Sequence, residues 1–415
     1  MTTRAETATE TAPRRADGPR KAAGTAPYAY DYRVADPAYI APVQATVARG
    51  RVLEVDAFGA EAVEGVLTVL WHANAPRLAS EPDLSGLQRA AELAVLQSGE
   101  VAYRGQIVAA VVAETFEAAW QAAAQVRVRY EQLPHDVGLS DQRADAFAPE
   151  EDHRQGDTAE AAPADVVVEH TYTTAMQHNN PMEPHTTVAH FDGAALTLYE
   201  STQGAHEARR TVAAMTGLDP DSVHVIAPYV GGGFGSKGPL HAPTVLAALS
   251  AVALPGRSVK LALTRRQMFT LVGYRSPTLQ RVRLSADAEG RLSGIDVLAT
   301  VQSSHVADFV EPAAQASKSM YAAPNRRMGH RAVRLDAPVP TWMRAPGECP
   351  GMFGPEVAVD ELAWSCGLDP IEVRLRNEPD RDPHTHKPFS TRNLAACLRE
   401  GARRFGWADR APEPG

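Results

Sequence analysis

Val230-Gly231-Gly232-Gly233-Phe234-Gly235-Ser236-Lys237-Gly238 is the stretch on which the reading of this 415-residue chain turns. It follows a short strand-like run, Val223–Ile226, and precedes Thr244–Val252, whose Ala/Leu-rich composition reads as a helix. Glycines carry no Cβ, so backbone N–H groups in such a loop can approach an anion closely. Two generic motifs can be compared with it. A Walker A loop ends Gly-Lys-Ser/Thr, whereas here the order is Gly235-Ser236-Lys237. Gly233, Gly235 and Gly238 satisfy G-x-G-x-x-G, but a dinucleotide fold wants an acidic residue about 20 positions later. No Asp or Glu occurs between Gly238 and Asp287. That stretch carries Arg257, Lys260, Arg265, Arg266, Arg275, Arg281 and Arg283 instead. It reads as a solvated face, a subunit contact or an anion field. The plain alternative for the loop is a tight turn between close-packed elements.

Working outward, the segment just before the loop holds strands at Val166–Val168 and Thr197–Tyr199, and a helix at His206–Met215. After it come a strand at Val259–Leu263 and a hairpin whose arms, Val282–Leu284 and Ile295–Val301, flank Asp287-Ala288-Glu289-Gly290. A further helix is predicted over Glu356–Cys366. Nearer the start, Gly105-Gln106 opens an apolar strand, Ile107–Val112. An Ala-rich helix, Glu114–Gln125, follows, and then a strand in which Val126, Val128 and Tyr130 alternate with Arg127 and Arg129. The fold class is therefore α+β. Residues 1–20 read as a disordered lead, 21–140 as a first unit, 141–164 as a polar, acidic linker with Pro149 and Pro163, and 165–410 as a second unit. The end, Pro412–Gly415, has no evident structure.

Composition narrows the function. The net charge of −9 argues against a nucleic-acid surface, and no apolar stretch reaches the roughly 18 residues of a membrane span. Arg14-Arg15 is followed by Ala16-Asp17-Gly18 and not by an apolar segment, so no export signal is expected. A cytoplasmic location is expected, with export alongside a partner subunit left open. The three cysteines, Cys349, Cys366 and Cys397, are too far apart for a local zinc or cluster-binding loop. His178, His185, His190 and His206 fit no common metal-binding spacing, so no protein-ligated metal is expected.

The loop is one of an ordered series. Asp17-Gly18 stands near the start with Lys21 and Gly24, followed by Gly105-Gln106-Ile107-Val108-Ala109, Asn180-Pro181-Met182-Glu183-Pro184-His185 and Ser201-Thr202-Gln203. After the loop come Met343-Arg344-Ala345-Pro346-Gly347-Glu348, Asp360-Glu361-Leu362-Ala363, Gly367-Leu368-Asp369-Pro370 and Arg374-Leu375-Arg376-Asn377. Pro388-Phe389-Ser390 and Phe405-Gly406-Trp407 close the series. From about residue 13 to residue 407 this resembles the molybdopterin-binding subunit of the xanthine dehydrogenase/aldehyde oxidase family, in its bacterial periplasmic aldehyde oxidase form.

The resemblance implies an α/β hammerhead domain to about residue 140, followed by the first of two molybdopterin-binding domains. It implies a molybdenum–pterin cofactor, in bacteria generally the cytosine dinucleotide form. Such a cofactor hydroxylates an aldehyde or an N-heterocycle with water-derived oxygen, and electrons pass to 2Fe-2S and FAD groups, here on partner subunits. Gly232, Gly233, Phe234 and Gly235 match the family's loop beside the metal; Phe234 shapes a substrate pocket or is core. Gln203 matches the glutamine next to the metal's oxo ligand, with a helix-entry role as the alternative. Arg344 matches the arginine that faces substrate, with a salt bridge to Glu348 or Glu356 as the alternative. Arg376 matches a pterin-contacting arginine, with a helix-end cap as the rival. Glu183 is expected to accept structural hydrogen bonds. Gly238 replaces the glutamate that binds purine in xanthine-type members, so aldehydes are the expected substrates. The family's general base, a glutamate in a Gly-x-Gly-Glu loop, and its second cofactor-binding domain have no counterpart in these residues. The expectation is of a half needing a second chain, or a non-catalytic remnant, inactive alone. An unrelated nucleotide-binding enzyme is the third reading, weakened by the missing ribose carboxylate.

Overall fold

A computed structural model describes residues 15–79, 90–140, 143–157 and 163–411. Ile107–Ala113 is buried at every position and lies inside a seven-stranded sheet. The order is Val223–Ile226, Leu196–Glu200, Thr186–Phe191, Ser258–Ala262, Ala38–Gln44, Ile107–Ala113, Val66–Trp71. A strand buried on both faces reads as a continuous apolar run, which is why it was legible. The helix Phe116–Ala123 starts where Thr115 Oγ1 accepts the Ala118 N–H at 3.1 Å, and it buries Ala118, Ala119 and Ala122. The alternating segment Arg127–Gln132 pairs with Gly50–Asp56 in a separate three-stranded sheet.

The two expected units are not two sheets. Ala38–Gln44 runs parallel to Ser258–Ala262, with Ala38 opposite Val259 and Tyr39 opposite Lys260. One apolar core accordingly contains Ile40, Ile107 and Val112 together with Leu196, Leu246 and Leu261. The sequence separates these strands by more than two hundred positions, so no local pattern could announce the pairing. The helix Ala242–Ala253 packs across this sheet. Its residues from Ala242 to Ala251 are all buried, so it shows no amphipathic stripe.

A five-stranded sheet follows, in the order His153–Gln155, Asn325–Leu335, Leu292–Ser304, Thr278–Ala286, Val166–Thr174. Its hairpin turns at Asp287–Gly290 as the sequence indicated, and the helix Phe353–Ser365 covers one face. Two expectations need correction. Residues 141–164 are more than a linker: His153–Gln155 forms an edge strand, and Phe147 bridges Ala332. Asp152 fixes that segment by accepting from Arg327 Nε at 3.0 Å and Arg331 Nη1 at 2.8 Å. The end of the expected lead also takes up structure, in a helix over Gly18–Ala22 that runs past residue 20 and is braced by the Lys21–Asp17 ion pair at 2.8 Å. Residues 1–14, 80–89, 141–142, 158–162 and the 412–415 end lie outside the described residues.

The shared sheet has a direct consequence. A chain starting at residue 140 would expose the edge of Ser258–Ala262 and uncover core residues, each of which contributes about 1.5–3 kcal/mol by burial. We expect residues 140–411 expressed alone to be insoluble or to melt without cooperativity, while co-expression with residues 15–139 restores a cooperative calorimetric transition. A soluble, cooperatively melting 140–411 fragment would contradict the shared core.

Candidate functional site

Three strands end at one edge of the seven-stranded sheet. Thr186 begins its strand opposite Ala262, Thr187 lies opposite Glu200, and Tyr199 lies opposite Ile226. The chain segments leaving that edge are 179–185, 201–204 and 227–241. Loops at the carboxyl ends of strands are common positions for ligand sites. Here they bring the Asn-Pro-Met-Glu turn, the Ser-Thr-Gln motif and the glycine loop together.

Lys237 anchors the loop from below. Its side chain is fully buried, and Nζ donates to Glu183 Oε2 at 2.6 Å and to the Glu183 carbonyl at 3.0 Å. Burial pulls the lysine below its usual range, against the opposing pull of Glu183. The same Glu183 oxygen accepts the Gly231 N–H at 2.7 Å, and the Glu183 N–H donates to the Gly231 carbonyl at 3.0 Å. Glu183 thus has the acceptor role expected of it. The Ser236 carbonyl receives His241 Nε2 at 2.8 Å and His185 Nε2 at 3.3 Å. A carbonyl only accepts, so both rings donate from Nε2. The 2.9 Å contact between His241 Nδ1 and Glu92 then requires one more proton between them. Burial drives His185 well below its usual range, which keeps it neutral.

Above this layer the loop is open. Gly232, Phe234 and Gly235 have φ of 92°, 54° and 107°, so a non-glycine residue holds the left-handed region at Phe234. The Phe234 carbonyl is taken by Asn179 Nδ2 at 3.0 Å and by the Arg344 N–H at 2.9 Å. The Gly235 N–H donates to Gln203 Oε1 at 3.0 Å. Because that partner is a donor, the Gln203 oxygen must face it, and its Nε2 points elsewhere. Gln203 therefore spans to the loop, while Gly204 sits at the helix entry. Among the described residues, the N–H groups of Gly232, Gly233 and Phe234 and the Gln203 Nε2 have no hydrogen-bond partner. A Cβ on Gly233 would lie 2.3 Å from Gln203 Oε1, and one on Gly235 would lie 2.5 Å from the Trp342 carbonyl. Both glycines keep the cradle narrow and open at once.

Phe234 is 49% exposed and Trp342 is 47% exposed, so aromatic rings rim the loop and Phe234 is not core. Arg344 is exposed and forms no ion pair among the described residues. The alternative bridge to Glu356 is not made, because Glu356 takes Arg374 at 2.8 Å. The structure thus unites Gln203, Gly232, Gly233, Phe234, Gly235 and Arg344. Arg376 is the exception. It ends the helix Pro370–Arg376 and donates to the Glu289 carbonyl in the hairpin turn of the other sheet. This contact braces a turn of the other sheet rather than capping the helix end, and among the described residues Arg376 does not join the loop. The four histidines also separate: His178 packs on Phe269 and Tyr274, His190 meets Ser258 Oγ at 3.2 Å, and His206 is exposed. Nor is the arginine-rich stretch a single field. Arg281 and Arg283 pair with Glu169, and Arg257 with Asp36, while Arg275 is buried. Sequence reasoning missed Asn179, Arg275 and the burial of Lys237. Only the adjacency of Asn179 to the Asn180-Pro181 motif could have drawn attention.

Glu200, one residue before Ser201, is buried and accepts from Thr187 Oγ1 at 2.6 Å and Thr244 Oγ1 at 3.2 Å. Burial pushes its carboxyl up to about 7. Between the ordinary carboxylate value and 7, the unfolded chain has lost this proton and the folded chain keeps it. Stability therefore falls as pH rises through that window and levels off above it. We expect Glu200→Gln to raise the melting temperature relative to the parent more at pH 8 than at pH 5. Equal differences at the two pH values would show that the charged carboxylate is accommodated.

Two family models match. The molybdopterin cofactor-binding domain matches residues 140–378, and the aldehyde oxidase and xanthine dehydrogenase a/b hammerhead domain matches residues 23–134. The aldehyde oxidoreductase molybdenum-binding subunit PaoC of Escherichia coli (strain K12) is 38% identical over 408 residues, covering 97% of this chain and 54% of PaoC. The chain thus spans about half the length of that relative. The nicotinate dehydrogenase large molybdopterin subunit of Eubacterium barkeri is 27% identical over 384 residues, covering 87% of each. Among solved structures, quinoline 2-oxidoreductase from Pseudomonas putida 86 superposes with a TM-score of 0.83 at 23% identity. It covers 96% of this chain and 54% of that one, and shows the same fold.

Proposed function

The chain belongs to the xanthine dehydrogenase/aldehyde oxidase family of molybdopterin-binding proteins, and from that premise we propose that its glycine loop holds a molybdenum–pterin cofactor in an aldehyde-oxidising hydroxylase. One observation carries the reading: among the described residues, three successive N–H groups, of Gly232, Gly233 and Phe234, stay unpaired beside the Gln203 Nε2, which also has no partner. The residues fit such a group, since the two cradle glycines exclude a Cβ and the donors suit an anionic or oxo ligand. When bound, the cofactor would supply the two-electron redox chemistry and the water-derived oxygen.

The chain's own residues have separable tasks. The loop N–H groups and Gln203 Nε2 hold the ligand's oxygen atoms without adding charge. Phe234 and Trp342 present aromatic faces that keep water from the substrate. Arg344 offers a guanidinium for negative charge developing on a carbonyl. Gly238, where xanthine-type members carry a purine-binding glutamate, favours aldehydes over purines, with N-heterocycles as the second substrate class. Two carboxylates near the site are held in place, Glu183 by Lys237 and Glu200 by two threonines. We therefore assign proton removal to a glutamate outside these residues, in further polypeptide that encloses the cofactor's other side. The three cysteines are free and dispersed and do not form a cluster-binding set, so we place the 2Fe-2S cluster outside these residues; FAD on a further partner subunit and the cytosine dinucleotide form of the pterin complete the proposal.

Two variants test this in the assembled complex. Gly233→Val should lower molybdenum per folded chain, read by elemental analysis alongside a thermal melt. Normal occupancy in a folded variant would remove the loop from the cofactor site. Arg344→Ala should cut aldehyde turnover per molybdenum by about a hundredfold, the equivalent of losing about 3 kcal/mol of charge stabilisation. Lost solubility at an unchanged per-molybdenum rate would make Arg344 structural.

A further inference from the structure

We propose that Arg275 is a positioning residue for this site: it sets the backbone that presents Arg344. The proposal rests on the reading that Arg344 faces substrate. Arg275 is 3% exposed. Its Nη2 donates to three successive carbonyls, those of Met343 at 3.0 Å, Arg344 at 2.6 Å and Ala345 at 3.2 Å. The backbone N–H and carbonyl of Arg275 pair with Gln177, two residues before Asn179, and its Nη1 lies 3.5 Å from Gln177 Oε1. Asn179 in turn bridges the carbonyls of Phe234 and Trp342, at 3.0 and 3.2 Å. One short run of chain and one guanidinium therefore hold both the glycine loop and the arginine loop.

The energetics fit a shaping role better than a stabilising one. The buried counter-charge, Glu311, is 3.9 Å from Arg275 Nε, too far for a hydrogen bond. It spends its Oε1 on the Gly347 N–H at 2.6 Å. Both Arg275 Nε and Glu311 Oε2 are buried without a partner. A buried ion pair left this incomplete contributes little net stability, and apolar residues of similar volume commonly do as well. What apolar residues cannot do is draw three carbonyls to one point. That convergence coincides with Ala345 at φ 59°, a left-handed conformation that the surrounding structure must impose on a non-glycine residue. Arg275 fixes the segment from the 343–345 side and Glu311 from the 347 side.

A double-mutant cycle in the assembled complex tests this, with benzaldehyde as the probe and rates expressed per bound molybdenum. Arg275→Met should lower kcat by roughly ten- to a hundredfold, since small displacements of catalytic groups have effects of that size. In an Arg344→Ala background it should cost nothing further, because the two act in series. Arg275→Lys should recover part of the rate and keep a folded chain if the methionine variant melts. Amide hydrogen exchange at residues 343–347 should quicken in either variant, whether or not the complex carries molybdenum. A wild-type complex without molybdenum would defeat the functional reading, and the exchange data would then decide on the clamp alone. Equal losses in both backgrounds, or unchanged exchange at 343–347, would overturn the role given to Arg275.

Discussion

The parallel ladder between Ala38–Gln44 and Ser258–Ala262 is the constraint on which the rest depends. It welds the first hundred-odd residues to the strands that end at the site. Ser258–Ala262 has Thr186–Phe191 on its other side, and Leu196–Glu200 follows, so register is passed strand by strand to the edge where Gln203 emerges. A one-residue slip would turn Glu200 and Thr187 to the opposite face and remove Gln203 from the glycine loop. The site is thus located by sheet register rather than by any single contact at the loop.

Beneath that edge lies a layer of largely buried polar and charged groups that a stability argument alone would not favour. Lys237, Glu183, His185, His241 and Glu92 sit in a part of the interior where desolvation is costly. Their hydrogen bonds go to the backbone of the loop, to the Gly231 N–H and the Ser236 carbonyl. Holding those groups from below leaves the upper N–H groups free. Had the loop satisfied its own donors, as an ordinary turn does, it would offer nothing to a ligand. The cost of burying charge and the openness of the loop are two sides of one arrangement.

The arginines illustrate how one composition splits into several roles. Arg281 and Arg283 grip Glu169 at a sheet surface, in pairs where exposure limits each contribution to about 0–1 kcal/mol. Arg275, in the same basic stretch, is buried against three carbonyls. Arg376 and Arg374 brace the other sheet and its helix, and only Arg344 is left exposed beside the loop without a partner among the described residues.

The sequence by itself determined the elements whose burial is written in a local period. Ile107–Ala113, the Ala-rich helix after it and the hairpin around Asp287–Gly290 were all readable, as was the glycine loop. The ordered motifs also carried the family. Tertiary structure alone decided three things. It merged two apparent units into one sheet, since a pairing across more than two hundred residues leaves no local trace. It turned an apparent linker into an edge strand at His153–Gln155, where Asp152 and two arginines outweigh weak strand propensity. And it sorted like residues by burial: Lys237 under the loop, Arg275 behind it, Arg376 away from it. Burial is a property of neighbours brought from elsewhere in the chain, and a residue's identity does not contain it.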